Sequence, residues 1–131
     1  MDSVSIGFTG DISFTHFFSS PNDMNSLIDD NTQNFLASCD YCVGNIEGAI
    51  MSKPEKMLRP FEHYSETKYA QYLENNNIKI WNLANNHALD FGEYGILQTE
   101  IAAENNDSQI IGIGKTIQKK FGHILSINVE V

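Results

Sequence analysis

Residues 78–95 read IKIWNLANNHALDFGEYG, a short apolar run followed by polar side chains and then by a helix start. Ile78 to Leu83 is typical of a buried β-strand. Asp90 is followed three residues later by Glu93, which predicts a capping box and a helix from Phe91 to about Asn105. Apolar spacing predicts the buried stripe of this helix to be Ile96, Leu97 and Ile101. A strand that leads through a polar turn into a helix is the basic unit of an α/β fold.

The same alternation of strand and helix occurs earlier in the chain. The connection from Gly48 to His63 contains Pro54 and Pro60, and we expect it to lack regular structure. The other predicted elements are strand Val4–Thr9, which ends at Gly10-Asp11, helix Asn25–Ala37, strand Tyr41–Ile46, a helix capped by Ser65 that runs to about Asn76, and strands Gln109–Ile111 and Ile124–Val131. Alternating βαβ units predict a single α/β domain with a mainly parallel sheet flanked by helices.

Composition limits the class of protein. The 131 residues include 17 acidic and 8 basic side chains, for a formal net charge of -9. This balance excludes a typical nucleic-acid binder, because such proteins cluster Lys and Arg. The N-terminus lacks the pattern of a signal peptide, and no apolar run approaches the ~20 residues that span a bilayer. We therefore expect a soluble cytoplasmic protein, in which Cys39 and Cys42 are ordinary buried thiols.

The first candidate site residues follow the two earlier strands. Asp11 comes after Gly10 at the end of the first strand, and its carboxylate suits a divalent cation or a turn. Asn45 and Glu47 are separated by one residue, so both side chains lie on the same face of an extended segment. They are either a pair of ligands or an amide that ties down the loop beside an exposed carboxylate. Parallel strands would bring all three to one edge of the sheet.

The third candidate group is Asn85-Asn86-His87, directly after the strand at 78–83. Asn86 can offer a carbonyl oxygen to a metal, and His87 can act as a ligand or a proton donor. The alternative is that the asparagines form a turn and that the histidine only packs. Asp90 is interpreted as the helix cap.

The other histidines carry less weight. His16 lies five residues after Asp11 and can reach the crevice or lie on the surface. His63 and His123 are interpreted as non-functional. No Ser or Cys occupies a Gly-x-Ser-x-Gly elbow, which argues against a nucleophilic hydrolase of that type.

Three motifs together resemble one family. They are FTGDI at residues 8–12, GNIEG at residues 44–48 and NLANNHALDFG at residues 82–92. The combination resembles the bacterial CapA family of poly-γ-glutamate capsule synthesis proteins, which is related to the calcineurin-like metallophosphoesterases. The resemblance implies a sandwich of two sheets flanked by helices and a site that holds divalent metal ions. The chain resembles the N-terminal half of the family's domain, so we expect later histidine motifs to lie beyond Val131 and activity to require that half.

The resemblance also implies roles for individual residues. Asp11, Glu47 and Asn86 would be metal ligands, and His87 would be the catalytic acid or the phosphate-contacting group. Asn45, Asn85 and His16 are additional candidates, and the ion would be Mn²⁺, Zn²⁺, Fe²⁺ or Mg²⁺. The implied reaction is metal-dependent hydrolysis of a phosphate ester in capsule synthesis.

Possible partners follow from the same residues. A phosphate-containing or polyanionic small molecule or polymer would bind at the crevice. The alternative function is a non-catalytic accessory or anion-binding module. The predicted last strand, Ile124–Val131, would pair with a second copy or with the missing half.

Overall fold

The positions of the strands and helices come from a computed structural model, which describes residues 3–15, 27–54 and 59–114. The elements are, in chain order, β1 (Ile6–Ile12), α1 (Asp30–Ser38), β2 (Tyr41–Ile46), β3 (Ala49–Met51), β4 (Tyr64–Glu66), α2 (Lys68–Asn75), β5 (Ile80–Asn82), α3 (Gly92–Glu104) and β6 (Gln109–Ile111). The predicted last strand, Ile124–Val131, lies outside the described residues.

The main sheet has four strands in the order β1-β2-β5-β6, and each neighbouring pair is parallel. This arrangement confirms the predicted α/β fold with a mainly parallel sheet. Trp81 of β5 is fully buried beneath the sheet's covering helices, and its indole N–H donates to the carbonyl of Ile78 at 2.9 Å. Because the strands are parallel, the carboxyl ends of β1, β2 and β5 meet at one edge of the sheet, which is where open α/β sheets bind ligands.

β3 and β4 form a second, two-stranded parallel sheet. β3 lies inside the Gly48–His63 connection, so the prediction that this connection lacks regular structure is wrong at its start. All three residues of β3 are buried. Its partner β4 follows only after the proline-containing stretch, and local sequence patterns do not reveal a pairing between such distant segments.

Helix α3 buries small residues and not the predicted stripe. Leu97 and Ile101 are exposed and Ile96 is half-buried, so that prediction is wrong. The buried residues are Gly95, Thr99, Ala102 and Ala103. The Thr99 hydroxyl accepts a hydrogen bond from the backbone N–H of Ile50 in β3 at 2.9 Å. The close approach of the helix to β3 requires small side chains on this face. The spacing of apolar residues alone does not indicate such a close approach.

Three predicted boundaries also change. β1 continues through Asp11 to Ile12 and does not end at Thr9. α1 begins at Asp30, where the Asp29 carboxylate caps it by accepting from the N–H groups of Asn31 and Thr32 at 3.0 and 3.2 Å. Ser65 does not cap α2, because it lies in β4, where its hydroxyl accepts from the N–H of Phe14 at 3.2 Å. None of the helices in the described residues is long and apolar enough to cross a bilayer.

The two cysteines are free thiols. Cys42 is buried, and burial together with the neighbouring Cys39 raises the pKa of its thiol to about 11. Cys39 is half-buried. The interpretation of Cys42 as an ordinary buried thiol is confirmed, since reactive cysteines have lowered pKa values.

Asp40 ties the start of β2 to the segment before β1. Its carboxylate accepts from the backbone N–H and from the hydroxyl of Ser5, each at 2.7 Å. These two bonds, the backbone bond first, hold the pKa of Asp40 below its usual 3.8. A lowered native pKa gives stability that is present above the unfolded pKa and lost as pH falls through the native one.

We therefore expect Ser5→Ala to raise the pKa of Asp40 toward 3.8, but not fully to it, because the backbone bond remains. A carboxyl NMR titration of both proteins measures the change. Ser108→Ala, which removes a hydroxyl bonded to Asn106, is the matched control and should leave the Asp40 pKa unchanged. An unchanged Asp40 pKa in Ser5→Ala would contradict the assignment.

Candidate functional site

Three polar side chains stand in register across β1, β2 and β5. Asp11 pairs with Asn45, and Asn45 pairs with Asn82. β1 pairs Phe8 with Val43 of β2 but pairs Asp11 with Asn45, so it contains one extra residue in that interval. This β-bulge places Asp11 opposite Asn45 where a regular strand would place Gly10. The prediction that Asp11 and Asn45 meet at one edge of the sheet is confirmed.

A network of amide side chains connects these strand ends. The Asn45 amide donates to the Asp11 carboxylate at 2.7 Å. Its oxygen accepts from the amides of Asn82 at 2.8 Å and Asn85 at 3.3 Å. The Asn85 oxygen then accepts from the backbone N–H of His87 at 3.0 Å. Asn45 and Asn85 thus use their polar groups to fix the turn that carries His87, which supports the tethering alternative for Asn45.

His87 forms a close pair with Asp90. The distance from His87 Nδ1 to Asp90 Oδ2 is 2.8 Å, and each side chain is 17% exposed. An ionised carboxylate only accepts, so Nδ1 carries the proton and the other ring nitrogen, Nε2, is the acceptor in the neutral ring. In the described part of the chain, no hydrogen bond engages Nε2 of His87. This pair orients an imidazole for proton transfer.

The interpretation of Asp90 as a helix cap is wrong. Helix α3 begins at Gly92, with Phe91 at the N-cap position and no side-chain cap bond. The Asp90 carboxylate oxygen that meets His87 also accepts from the backbone N–H of His63 at 2.7 Å. A capping box requires the side chain to bond its own helix, and here the backbone N–H of His63 and the ring of His87 take that place.

His63, interpreted from the sequence as non-functional, lies within this cluster. Its ring stacks on the ring of His87, with the centroids 4.0 Å apart and the planes 29° apart. Its Nδ1 lies 3.2 Å from the hydroxyl of Ser13 and 3.7 Å from a carboxylate oxygen of Glu47. His63 could have been identified as a site residue only from its position directly before β4. That strand is recognised only through its pairing with β3.

The predicted metal ligands make separate contacts. Asp11 is engaged by Asn45, Glu47 lies near His63, and the Asn86 side chain is exposed. Their carboxylate and amide oxygens are suitable ligands for a divalent cation. Across residues 3–15, 27–54 and 59–114, however, no three His, Cys, Asp or Glu side chains are grouped to hold an ion. These residues do not fit a complete metal centre, their role as ligands stays a prediction, and His16 lies outside the described residues.

An open cavity of about 430 Å³ lies beside His87. The segment Asn86–Asp90 contributes Asn86, His87, Leu89 and Asp90 to its lining, and a turn at residues 59–62 contributes the rest. A ligand in this cavity would therefore contact the oriented imidazole directly.

Comparison of the chain with models of protein families gives a match. A family model described as the bacterial capsule synthesis protein PGA_cap matches residues 5–129. A search of curated proteins found no match. The matched range contains every residue of the cluster described above, from Asp11 to Asp90.

Proposed function

The chain belongs to the bacterial capsule synthesis protein family, and from this premise we propose that its strand-end site hydrolyses a phosphate ester. The observation that carries the proposal is the 2.8 Å bond between His87 and Asp90. A carboxylate that fixes the tautomer of a partly buried imidazole is a recurrent arrangement for general acid–base catalysis. The cavity beside His87 gives a substrate access to that ring.

In the proposed reaction, water attacks phosphorus and the bond from phosphorus to the alcohol oxygen breaks. His87, when protonated, donates its Nε2 proton to the departing oxygen, and the proton released by the attacking water passes to solvent, from which the ring is protonated again. Asp90 stabilises the positive charge of the ring before the transfer and holds the ring in place. The protonated ring would also offset part of the local negative charge of Asp11, Glu47 and Asp90, which would otherwise repel a phosphate.

Dependence on a divalent cation is a separate part of the proposal. Asp11, Glu47 and Asn86 are the residues that would contribute to holding it, by resemblance to the metallophosphoesterases. Such an ion polarises the phosphoryl oxygen and lowers the pKa of bound water. Since the described residues alone do not group three such ligands, we derive no catalytic step through the ion.

A non-catalytic anion-binding module is the second candidate function. It is supported by the amide network, in which the polar groups of Asn45 and Asn85 are engaged by hydrogen bonds to neighbouring protein groups. Such a module would bind phosphate at His87 and would not turn it over.

One experiment separates the two candidates. The full-length gene product is incubated with p-nitrophenyl phosphate, bis-p-nitrophenyl phosphate and p-nitrophenyl acetate, in chelator and with Mn²⁺, Zn²⁺, Fe²⁺ or Mg²⁺ added. We expect release of nitrophenol from a phosphate ester and not from the acetate. A folded protein that binds inorganic phosphate saturably, but hydrolyses neither phosphate ester with any ion, would overturn the enzyme and favour the module.

A further inference from the structure

The turn at residues 59–62 holds an aromatic residue in an unfavourable backbone conformation. The N–H of Glu62 donates to the carbonyl of Arg59 at 3.1 Å, and Pro60 occupies the second position. Phe61, at the third position, has φ 74°. This combination is typical of a type II turn, where glycine is strongly favoured at the third position. A bulky residue with positive φ is a genuine outlier.

Packing does not explain why Phe61 occupies this position. Its side chain is 85% exposed, the highest value among the large hydrophobic residues of the described ranges. The turn is fixed instead by the buried carboxylate of Glu62, which accepts from the backbone N–H of Arg59 at 2.8 Å and from its Nε at 3.0 Å. The hydrogen bonds that fix the turn therefore do not involve the phenyl ring, and the ring is available to contact a ligand. Strained residues of this kind concentrate at functional sites.

The phenyl ring lies at the cavity that contains the catalytic pair. Phe61 and Pro60 line this cavity together with Leu89, which is 63% exposed. His87 and Asp90 line the same cavity, so its apolar lip is continuous with the proposed catalytic centre. Arg59 is the basic residue among the described lining residues, and its guanidinium side chain is 79% exposed.

We propose that this cavity binds the apolar alcohol part of the phosphate ester, with Phe61 as the residue that determines this preference. The proposal rests on the proposed function, since it assigns a substrate class to the same site. The phosphoryl group would lie at His87, and the apolar group would pack between Phe61, Pro60 and Leu89. Exposed aromatic and aliphatic side chains at a polar site favour a ligand that is polar at one end and apolar at the other.

Binding is tested with two non-hydrolysable probes, benzylphosphonate and methylphosphonate, by titration calorimetry of the full-length gene product. We expect benzylphosphonate to bind at least about tenfold more tightly, which is the scale of discrimination by a hydrophobic pocket. Phe61→Ser should abolish this preference. Phe35→Ser, which changes a 60% exposed phenylalanine on α1, is the matched control and should retain it.

A second variant separates this role from a structural one. Phe61→Gly relieves the positive φ, so its Tm should not fall below that of the wild type, whereas the preference for benzylphosphonate should be lost. Equal affinity of the wild type for both probes, or full preference in Phe61→Ser, would overturn the proposal.

Hydrolysis of benzyl and methyl phosphate distinguishes failure of the two proposals. Turnover of both esters at equal kcat/KM overturns the assignment of the cavity and leaves the hydrolase intact. Tighter binding of benzylphosphonate without turnover of either ester supports the cavity and overturns the hydrolase.

Discussion

Replacing His87 by Gln is expected to lower kcat for phosphate-ester hydrolysis by about 10²–10⁴-fold, the usual contribution of a positioned general acid or base. Gln retains a polar side chain of similar size but cannot donate a proton as an imidazolium does. The position is 17% exposed and on a turn, so the fold should tolerate the change. Steady-state kinetics of the full-length gene product, with a thermal melt to verify folding, measure the effect.

Asp90→Asn should reduce kcat as well, by a different route. The Asp90 carboxylate accepts from both His63 N–H and His87 Nδ1 through one oxygen. The carbonyl oxygen of Asn can still accept from both donors, but the neutral amide no longer stabilises the positive charge of the protonated ring, so proton donation from Nε2 is weakened. Asp107→Asn is the matched control, because Asp107 is exposed in the turn before β6, at the opposite edge of the sheet. A change confined to KM in both His87→Gln and Asp90→Asn would show that the pair binds substrate and does not transfer protons.

Gly48→Ala is expected to destabilise the protein by about 2–5 kcal/mol, because a strained backbone and an overpacked contact add together. Gly48 has φ 81°, a conformation that alanine rarely adopts. A Cβ at this position would also overlap the carbonyl group of His63, which is backbone and has little freedom to move. That carbonyl accepts from the N–H of Ala49 at 3.3 Å, so the substitution would separate β3 from the residue that precedes β4.

Urea unfolding measures this loss, and Gly10→Ala is the matched control. Gly10 lies in β1, and a Cβ there would meet no atom within 4 Å. We expect the control to remain within about 0.5 kcal/mol of the wild type, as for a substitution away from special backbone positions. Equal stability of the two variants would contradict the close approach of His63 to Gly48.

The sequence predicts the main sheet well because its signals are local. β2 is predicted at its observed bounds and β5 within two residues of them, whereas β1 is found in the right region but begins at Ile6 and continues to Ile12, beyond the predicted end at Thr9. The parallel arrangement then brings Asp11 and Asn45 to the same edge of the sheet, whereas their direct pairing depends on the bulge in β1, which the sequence does not indicate. Candidate site residues at the ends of neighbouring strands can therefore be identified from the sequence.

His63 and Asp90 could not be assigned from the sequence, because their roles depend on contacts between distant segments. Asp90 has the spacing of a capping box with Glu93, yet the N–H of His63, directly before β4, donates to its carboxylate. A local pattern and a tertiary contact compete for the same side chain here, and the tertiary contact prevails. The small-residue face of α3 also depends on a contact between distant segments. β3 lies too close to this face to admit side chains as large as those of Leu97 or Ile101.

The amides of Asn45, Asn82 and Asn85 also determine how the site responds to acidity. These side chains neither gain nor lose a proton under conditions in which proteins remain folded. They connect the ends of β2 and β5 and hold the backbone of His87 through the Asn85 oxygen. The bonds among these amides, and the bond to the backbone N–H of His87, are therefore indifferent to pH, so that a change of buffer leaves this part of the scaffold beneath the imidazole unchanged.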